Sequence, residues 1–352
     1  MTPDREISFI EAINEGTGEA LASDNRVILM GLGVPDPKGI FGTTVGLRER
    51  FGADRVLDTP TAENGVTGIA LGASLLGYRP IITHQRVEFS LLAIEQLINQ
   101  AAKWNYMTAG QKSVPMVVRL IVGRGWGQGP QHSQFLEPIF AHVPGLKVVA
   151  PSTPSDAKGM LIAAVQDDDP VIFFEHRWLH GTIGRVAAGP SLVNPFKARI
   201  AREGKDVTIV SYSYMVVECL IAAKALADVG INAEVLDLRS IRPLDIESVR
   251  ASVKKTRKLV VVDNGWSAFG VGGEIISNII EKDVNAFDKA PKRLGVSDVP
   301  IPSTRALANL CYPSARSIVK CIGELFNTPV DDVIFMLPEV ADTPNHAFKG
   351  PF

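Results

Sequence analysis

Four places in the chain bring together residue types that can do chemistry. The first is "VLDTPTAENGVTGIALGASLLGYRPIIT", residues 56 to 83, where Glu63 stands at the mouth of a long apolar, Gly-rich helical run. Residues 66 to 77 offer only Thr67 and Ser74 as polar side chains. A helix apolar on all sides is expected to be buried. Its first carboxyl should share that burial, which raises a carboxyl's pKa and suits it to proton transfer. The plainer reading is a solvated glutamate favoured by the helix dipole.

The second place is "GRGWGQGPQHSQ", residues 123 to 134. Its glycines and Pro130 make a loop directly after a strand signal, where α/β sheets put their ligands. His132 lies near its end, and histidine is the side chain best suited to move protons near neutral pH. No Gly-Lys-Ser/Thr follows, so the loop is not a phosphate-binding P-loop. The third is "ITHQRVEFSLLAIEQ", which crowds His84, Gln85, Arg86 and Glu88 between a strand and a helix begun by Phe89. Arg86 suits a carboxylate or phosphate if it faces a pocket. The fourth is "AVQDDDPV", residues 164 to 171. Three aspartates at a helix C-terminus repel the carbonyls there, and a bound cation would relieve them.

These residues need a scaffold. "RVILMG", "RPIIT", "PMVVRLIVG", "LKVVAPS" and "PVIFFEH" are near-continuous apolar runs, the pattern of strands buried on both faces. Helical runs alternate with them, and "SFIE" opens the first helix with a capping-box signature, Ser8 with Glu11. The alternation predicts a mostly parallel sheet covered by helices. It breaks at 181–205 and restarts with "DVTIVSYS", "AEVLDLR", "KLVVVDNG" and "KRLGVSD". The reading is α/β, with two serial domains: 1–180, a linker at 181–205, 206–330, and a C-terminal tail at 331–352.

The bulk numbers close off other classes. The 352 residues exceed one ordinary core. A net charge of −2 offers no electrostatic footprint for nucleic acid or an anionic membrane surface. No apolar run is long enough for a membrane span, and "MTPDREISF" carries no apolar core of a secretory signal. Cys219, Cys311 and Cys321 show no metal-binding spacing and read as buried thiols in a reducing, cytoplasmic setting.

Several spaced stretches together resemble one family. "DTPTAENGVTGIALGASLLGYRPI", "AIEQLINQAAKWNYMTAGQ", "QHSQ", "HVPGLKVVAPSTPSDAKGML" and "DDDPVIFFEH" are similar to the β subunit of the E1 component of 2-oxo acid dehydrogenase complexes. "EVLDLRSIRPLD", "KKTRKLVVVDNGW", "GVGGEI" and "DVPIPS" resemble the transketolase-like C-terminal domain that follows it. The resemblance runs from about residue 7 to about residue 327. It implies a pyrimidine-binding domain for thiamin diphosphate ahead of that C-terminal domain. It implies that Glu63 hydrogen-bonds N1′ of the aminopyrimidine and so promotes the imino form that takes the proton from C2. It implies that Phe89 packs on the pyrimidine and that His132 holds the substrate carboxylate and serves acyl transfer to a lipoyl group. Ala164, Val165, Asp167 and Asp169 fall where several members hold a structural potassium ion.

The family's G-D-G motif for diphosphate and Mg²⁺ is missing from the sequence. The resemblance therefore implies half an active site, completed by an α-type subunit in an α₂β₂ assembly and served by a lipoyl-carrying E2. His84, Gln85 and Arg86 depart from the apolar stretch usual before Phe89 and are candidates for the substrate pocket. They also keep open a second reading, a split transketolase or acyloin-type synthase that passes a two-carbon unit to a carbonyl acceptor.

Overall fold

A computed structural model of the chain describes residues 4–124 and 127–338. Gly125 and Trp126 of the His132 loop, and residues 339–352 of the expected tail, lie outside the described residues. Fourteen strands occur among the described residues. In the first half they are β1 (Asp4–Ser8), β2 (Val27–Gly31), β3 (Val56–Asp58), β4 (Arg79–His84), β5 (Val117–Val122), β6 (Lys147–Val149), β7 (Val171–His176) and β8 (Ile183–Ala187). The second half supplies β9 (Arg199–Arg202), β10 (Val207–Ser211), β11 (Ala233–Asp237), β12 (Ser240–Arg242), β13 (Leu259–Trp266) and β14 (Lys292–Val296).

The apolar runs become the centres of two sheets. The larger has the order β12-β6-β7-β5-β4-β2-β3, all parallel except β12. The smaller has the order β14-β13-β10-β11-β9, parallel except β9. Every residue of β2, β5, β7, β10 and β11 is buried, as strands covered on both faces require. The predicted capping box is present: Glu11 N donates to Ser8 Oγ at 3.2 Å, and Ser8 N donates to Glu11 Oε2 at 2.7 Å. The helix it opens, Phe9–Ser23, packs along the helix Pro154–Gln166 on one face of the larger sheet.

Residues 181–205 hold more structure than a turn-rich connection suggests. β8 pairs antiparallel with β1, and β9 forms the edge of the smaller sheet. Strand β12 reaches back and pairs with β6, so the larger sheet takes its last strand from the second half of the chain. Polar ties cross beside it. Asp156 bonds Arg239 Nη2 at 2.7 Å, and Arg242 Nη1 donates to the Ala141 carbonyl at 2.9 Å. Buried Arg124 lies 4.0 Å from the Tyr312 ring centroid and 4.4 Å from that of Trp178, a cation–π seam between the halves. The three cysteines are free; Cys219 and Cys311 are buried as expected while Cys321 is only half-buried, and burial pushes each thiol pKa up. The start of the expected tail, Asp331–Met336, is helical.

No helix of the described residues is long and apolar enough to cross a membrane.

Candidate active site

Strand order locates the site. The chain enters the larger sheet at β2, steps outward to β3, and returns on the other side of β2 as β4. The direction of winding therefore reverses between β2 and β4. In open α/β sheets the crevice at the carboxyl ends of such strands binds ligands. A cleft lies there, lined by Gly31 and Leu32 after β2, Ile82, Thr83 and His84 of β4, Thr59, Pro60, Glu63 and Val66, and then Gln85 and Phe89. Gly31 at its rim packs tightly on β4, since a Cβ there would sit 2.6 Å from the Thr83 carbonyl oxygen.

Glu63 is the first residue of the helix Glu63–Leu75. Its carboxylate has no hydrogen-bond partner among the described residues and is half-buried. The expectation of a helix buried on all sides is corrected here. Its inner face, with Val66, Ala70 and Leu71, is covered, but Ile69 is 63 % exposed and Leu76 83 % exposed. Apolar composition reported that both faces need cover; this chain covers one.

Phe89 lies within a 3₁₀ helix, Val87–Ala93, followed by a π-helical turn, Gln96–Ala101, and then by α-helix Ala102–Met107. The sequence read a single α-helix here. A 3₁₀ turn sends successive side chains out 120° apart. Glu88 and Phe89 consequently leave on adjacent sides, and both meet His132. The Phe89 and His132 rings make an edge contact with centroids 6.2 Å apart, and His132 Nδ1 is bonded to Glu88 Oε1. Sequence reasoning noted Glu88 only as part of a crowd. It is 44 residues from His132, and no spacing rule links the two.

The remaining polar residues before Phe89 separate. His84 is buried on the cleft wall with Nε2 3.4 Å from Thr67 Oγ1, and burial pushes its pKa down to about 4, so it is neutral near pH 7. Gln85 Nε2 donates to the Leu32 carbonyl at 2.8 Å. Arg86 turns away from the cleft residues, and its Nη1 donates to Gln128 Oε1 at 2.8 Å. A Cβ on Gly123 would lie 3.0 Å from the His132 carbonyl and 3.1 Å from Arg86 Nη1, so glycine is what lets that arginine reach the loop.

The acidic segment sits elsewhere, at the amino ends of the strands. Arg79, the first residue of β4, donates from Nη1 to the carbonyls of Val165 and Asp167, each at 3.0 Å, and pairs with Asp168. Lys147 Nζ reaches Asp167 at 2.6 Å and Asp169 at 3.1 Å. The Ala164 carbonyl accepts from Asp167 N at 3.3 Å. The awkward helix end thus has its positive charge from within the chain. A potassium ion would add to that neutralisation rather than supply it. Among the described residues no group of three His, Cys, Asp or Glu is placed to hold a metal ion.

The cleft fits one part of thiamin diphosphate. An unpartnered carboxylate, an aromatic ring, apolar walls at Val66 and Ile82, and the buried, unpartnered Thr83 Oγ1 suit a flat aminopyrimidine. Among the described residues nothing in it resembles a cradle for a diphosphate.

Fold and cleft together define a pyrimidine-binding domain of the transketolase kind. The family model for the transketolase pyrimidine binding domain matches residues 5–181, and that for the transketolase C-terminal domain matches 196–318. A solved split-gene transketolase, an inactive β4 tetramer, superposes with a TM-score of 0.75 over 91 % of this chain and 98 % of its own, at 21 % identity, a likeness of fold. The chain is 44 % identical over 320 residues to the mitochondrial pyruvate dehydrogenase E1 component subunit beta-1 of Arabidopsis thaliana, covering 90 % of this chain and 88 % of that one. It is 44 % identical to the mitochondrial subunit beta of Caenorhabditis elegans (90 % and 92 %) and 41 % identical to that of Rattus norvegicus (92 % and 91 %). The chain belongs to the family of 2-oxo acid dehydrogenase E1 component β subunits. The relatives named mitochondrial give no support to the cytoplasmic setting expected from the sequence.

Proposed function

We propose that this chain is the β-type half of a thiamin diphosphate enzyme that oxidatively decarboxylates a 2-oxo acid of the pyruvate class and passes the acyl group to a lipoyl-carrying E2. The observation that carries the reading is the meeting of Glu63, Phe89 and, beside Phe89, His132 at the switch point of the larger sheet. Bound thiamin diphosphate supplies the nucleophilic carbon and the electron sink. Glu63 would hold a proton at N1′ of the pyrimidine, and Phe89 would orient the ring by offset packing. His132 would stand over the reacting end, where its imidazole can hold a carboxylate or move a proton.

An α-type subunit would bring the diphosphate and Mg²⁺ site, and an α₂β₂ assembly would place two such cofactors between subunits. The exposed Ile69 and Leu76, with Leu92 63 % exposed nearby in sequence to Phe89, support that reading. Large apolar side chains left exposed in this way are what a partner surface would cover. Closing it would also finish the desolvation of Glu63. The split transketolase reading rested on polar residues 84 to 88. Their bonds to Thr67, Leu32, Gln128 and His132 account for them without a sugar substrate.

The test is co-expression with the α-type partner and assay of a 2-oxo acid panel with an artificial electron acceptor. Cofactor-dependent carbon dioxide release, fastest with pyruvate or a close homologue, is expected. Tight cofactor binding without release from any acid would sink the reading and bring forward carbonyl acceptors.

A further inference from the structure

Glu88 has no part in the chemistry proposed above, yet its carboxylate is bonded to His132 Nδ1. We propose that Glu88 is a positioning residue, which fixes the tautomer and the orientation of the His132 imidazole. This rests on the proposed function only for the reaction that the imidazole serves.

The argument starts from donors and acceptors. A carboxylate can only accept, so the proton of the contact lies on His132 Nδ1. A neutral imidazole then carries no proton on Nε2. That nitrogen has no partner among the described residues, and the side chain is 40 % exposed against 9 % for Glu88. The carboxylate is therefore the fixed, covered half of the pair, and the imidazole offers a bare Nε2 toward the open side. Phe89 closes the neighbouring edge of the ring at 6.2 Å. A carboxylate on one side and an aromatic edge on another leave the imidazole little freedom to flip.

The backbone is held as well as the ring. Glu88 and Phe89 sit on a 3₁₀ turn tied by Phe89 N to the Arg86 carbonyl at 3.2 Å and by Ser90 Oγ to the Val87 carbonyl at 2.6 Å. Opposite, His132 ends the short helix Gly129–His132, whose preceding residue Gln128 accepts from Arg86 Nη1. Two struts, Arg86 to Gln128 and Glu88 to His132, therefore join the segment after β4 to the loop after β5. In chemical terms, a proton taken up at Nε2 makes an imidazolium paired with the Glu88 carboxylate. A proton given back from Nε2 restores the starting tautomer, and the ring never has to turn.

The test uses the full chain assembled with its α-type partner, labelled with [15N]histidine, with His132→Asn assigning the signal. Nitrogen shifts of wild type should show His132 protonated on Nδ1. Glu88→Ala should shift it toward the Nε2–H form and lower kcat on the order of 10²-fold, the lower end of what a general acid–base group contributes. KM and thiamin diphosphate affinity should stay within about twofold, since no uniform binding is lost. Glu88→Gln keeps a carbonyl acceptor and should restore both the tautomer and most of kcat. An Nε2–H form in wild type, an unchanged tautomer in Glu88→Ala, or a shifted tautomer with unchanged kcat would each overturn the proposal. Absence of any 2-oxo acid turnover in wild type would count against the proposed reaction instead, and the nitrogen shifts would still decide the role of Glu88.

Discussion

The two ends of β4 carry opposite solutions to the same problem. At its amino end Arg79 meets Val165, Asp167 and Asp168, and with Lys147 it neutralises an acidic helix terminus. At its carboxyl end His84 and the residues beyond it line or flank a cleft in which Glu63 has no partner among the described residues. Both stretches look alike in sequence, each a knot of charge next to an apolar run. One is complete within the chain and one is left open. In a parallel sheet all strands point the same way, so loops at the carboxyl ends are free to carry function, and the opposite ends are free to be used for stability.

That contrast can be broken in four places. Glu63→Gln should abolish cofactor-dependent turnover of the assembled enzyme, by more than about 100-fold, with the melting temperature of the chain nearly unchanged; a loss of stability as large as the loss of activity would erase the distinction. Arg79→Ala should do the reverse. It leaves two carbonyls without a donor and should cost roughly 2–3 kcal/mol in urea unfolding, with activity per folded enzyme retained.

The third prediction concerns acid. His84 has a folded pKa of about 4, below the ordinary histidine value of 6.5, because it is buried. Above pH 7 it is neutral in both states. As pH falls from about 6.5 towards 4, the unfolded chain takes up the proton first, so stability is lost on acidification. Wild type should lose roughly 2 kcal/mol more than His84→Gln between pH 7 and pH 5; parallel pH profiles of the two would show that His84 is not buried in solution. The smallest effect is expected from Phe89→Ala, a weakening of thiamin diphosphate affinity by about 3- to 10-fold, the worth of one aromatic packing contact. Titration of the cofactor into the assembled variant checks it.

Much of this was legible in the sequence, for reasons that differ by element. Strands such as Val207–Ser211 and Val171–His176 announce themselves because burial on both faces demands unbroken apolar runs. Glu63 could be singled out because a carboxyl stands at the mouth of an apolar helical run, whereas Phe89 acquired a role only through the family resemblance. β12 could not be found, since three residues carry no periodicity, and its partner β6 lies far back in the chain. The contact of Glu88 with His132 was hidden for the same reason. The open face of Glu63–Leu75 was misread because apolar composition is the same for a helix covered by its own chain and for one that another chain must cover.

Strand β12 has a further consequence. The family models stop at 181 and resume at 196, which invites a cut between them. A fragment ending there would lose the strand that pairs with β6, the arginines that bond Asp156, and the ring of Tyr312 over Arg124. Its sheet would end in a bare edge, free to recruit strands from other molecules. The gap between the two family models thus does not coincide with a break in the sheet. The two halves are expected to melt as one cooperative unit, and the first of them to aggregate when made alone.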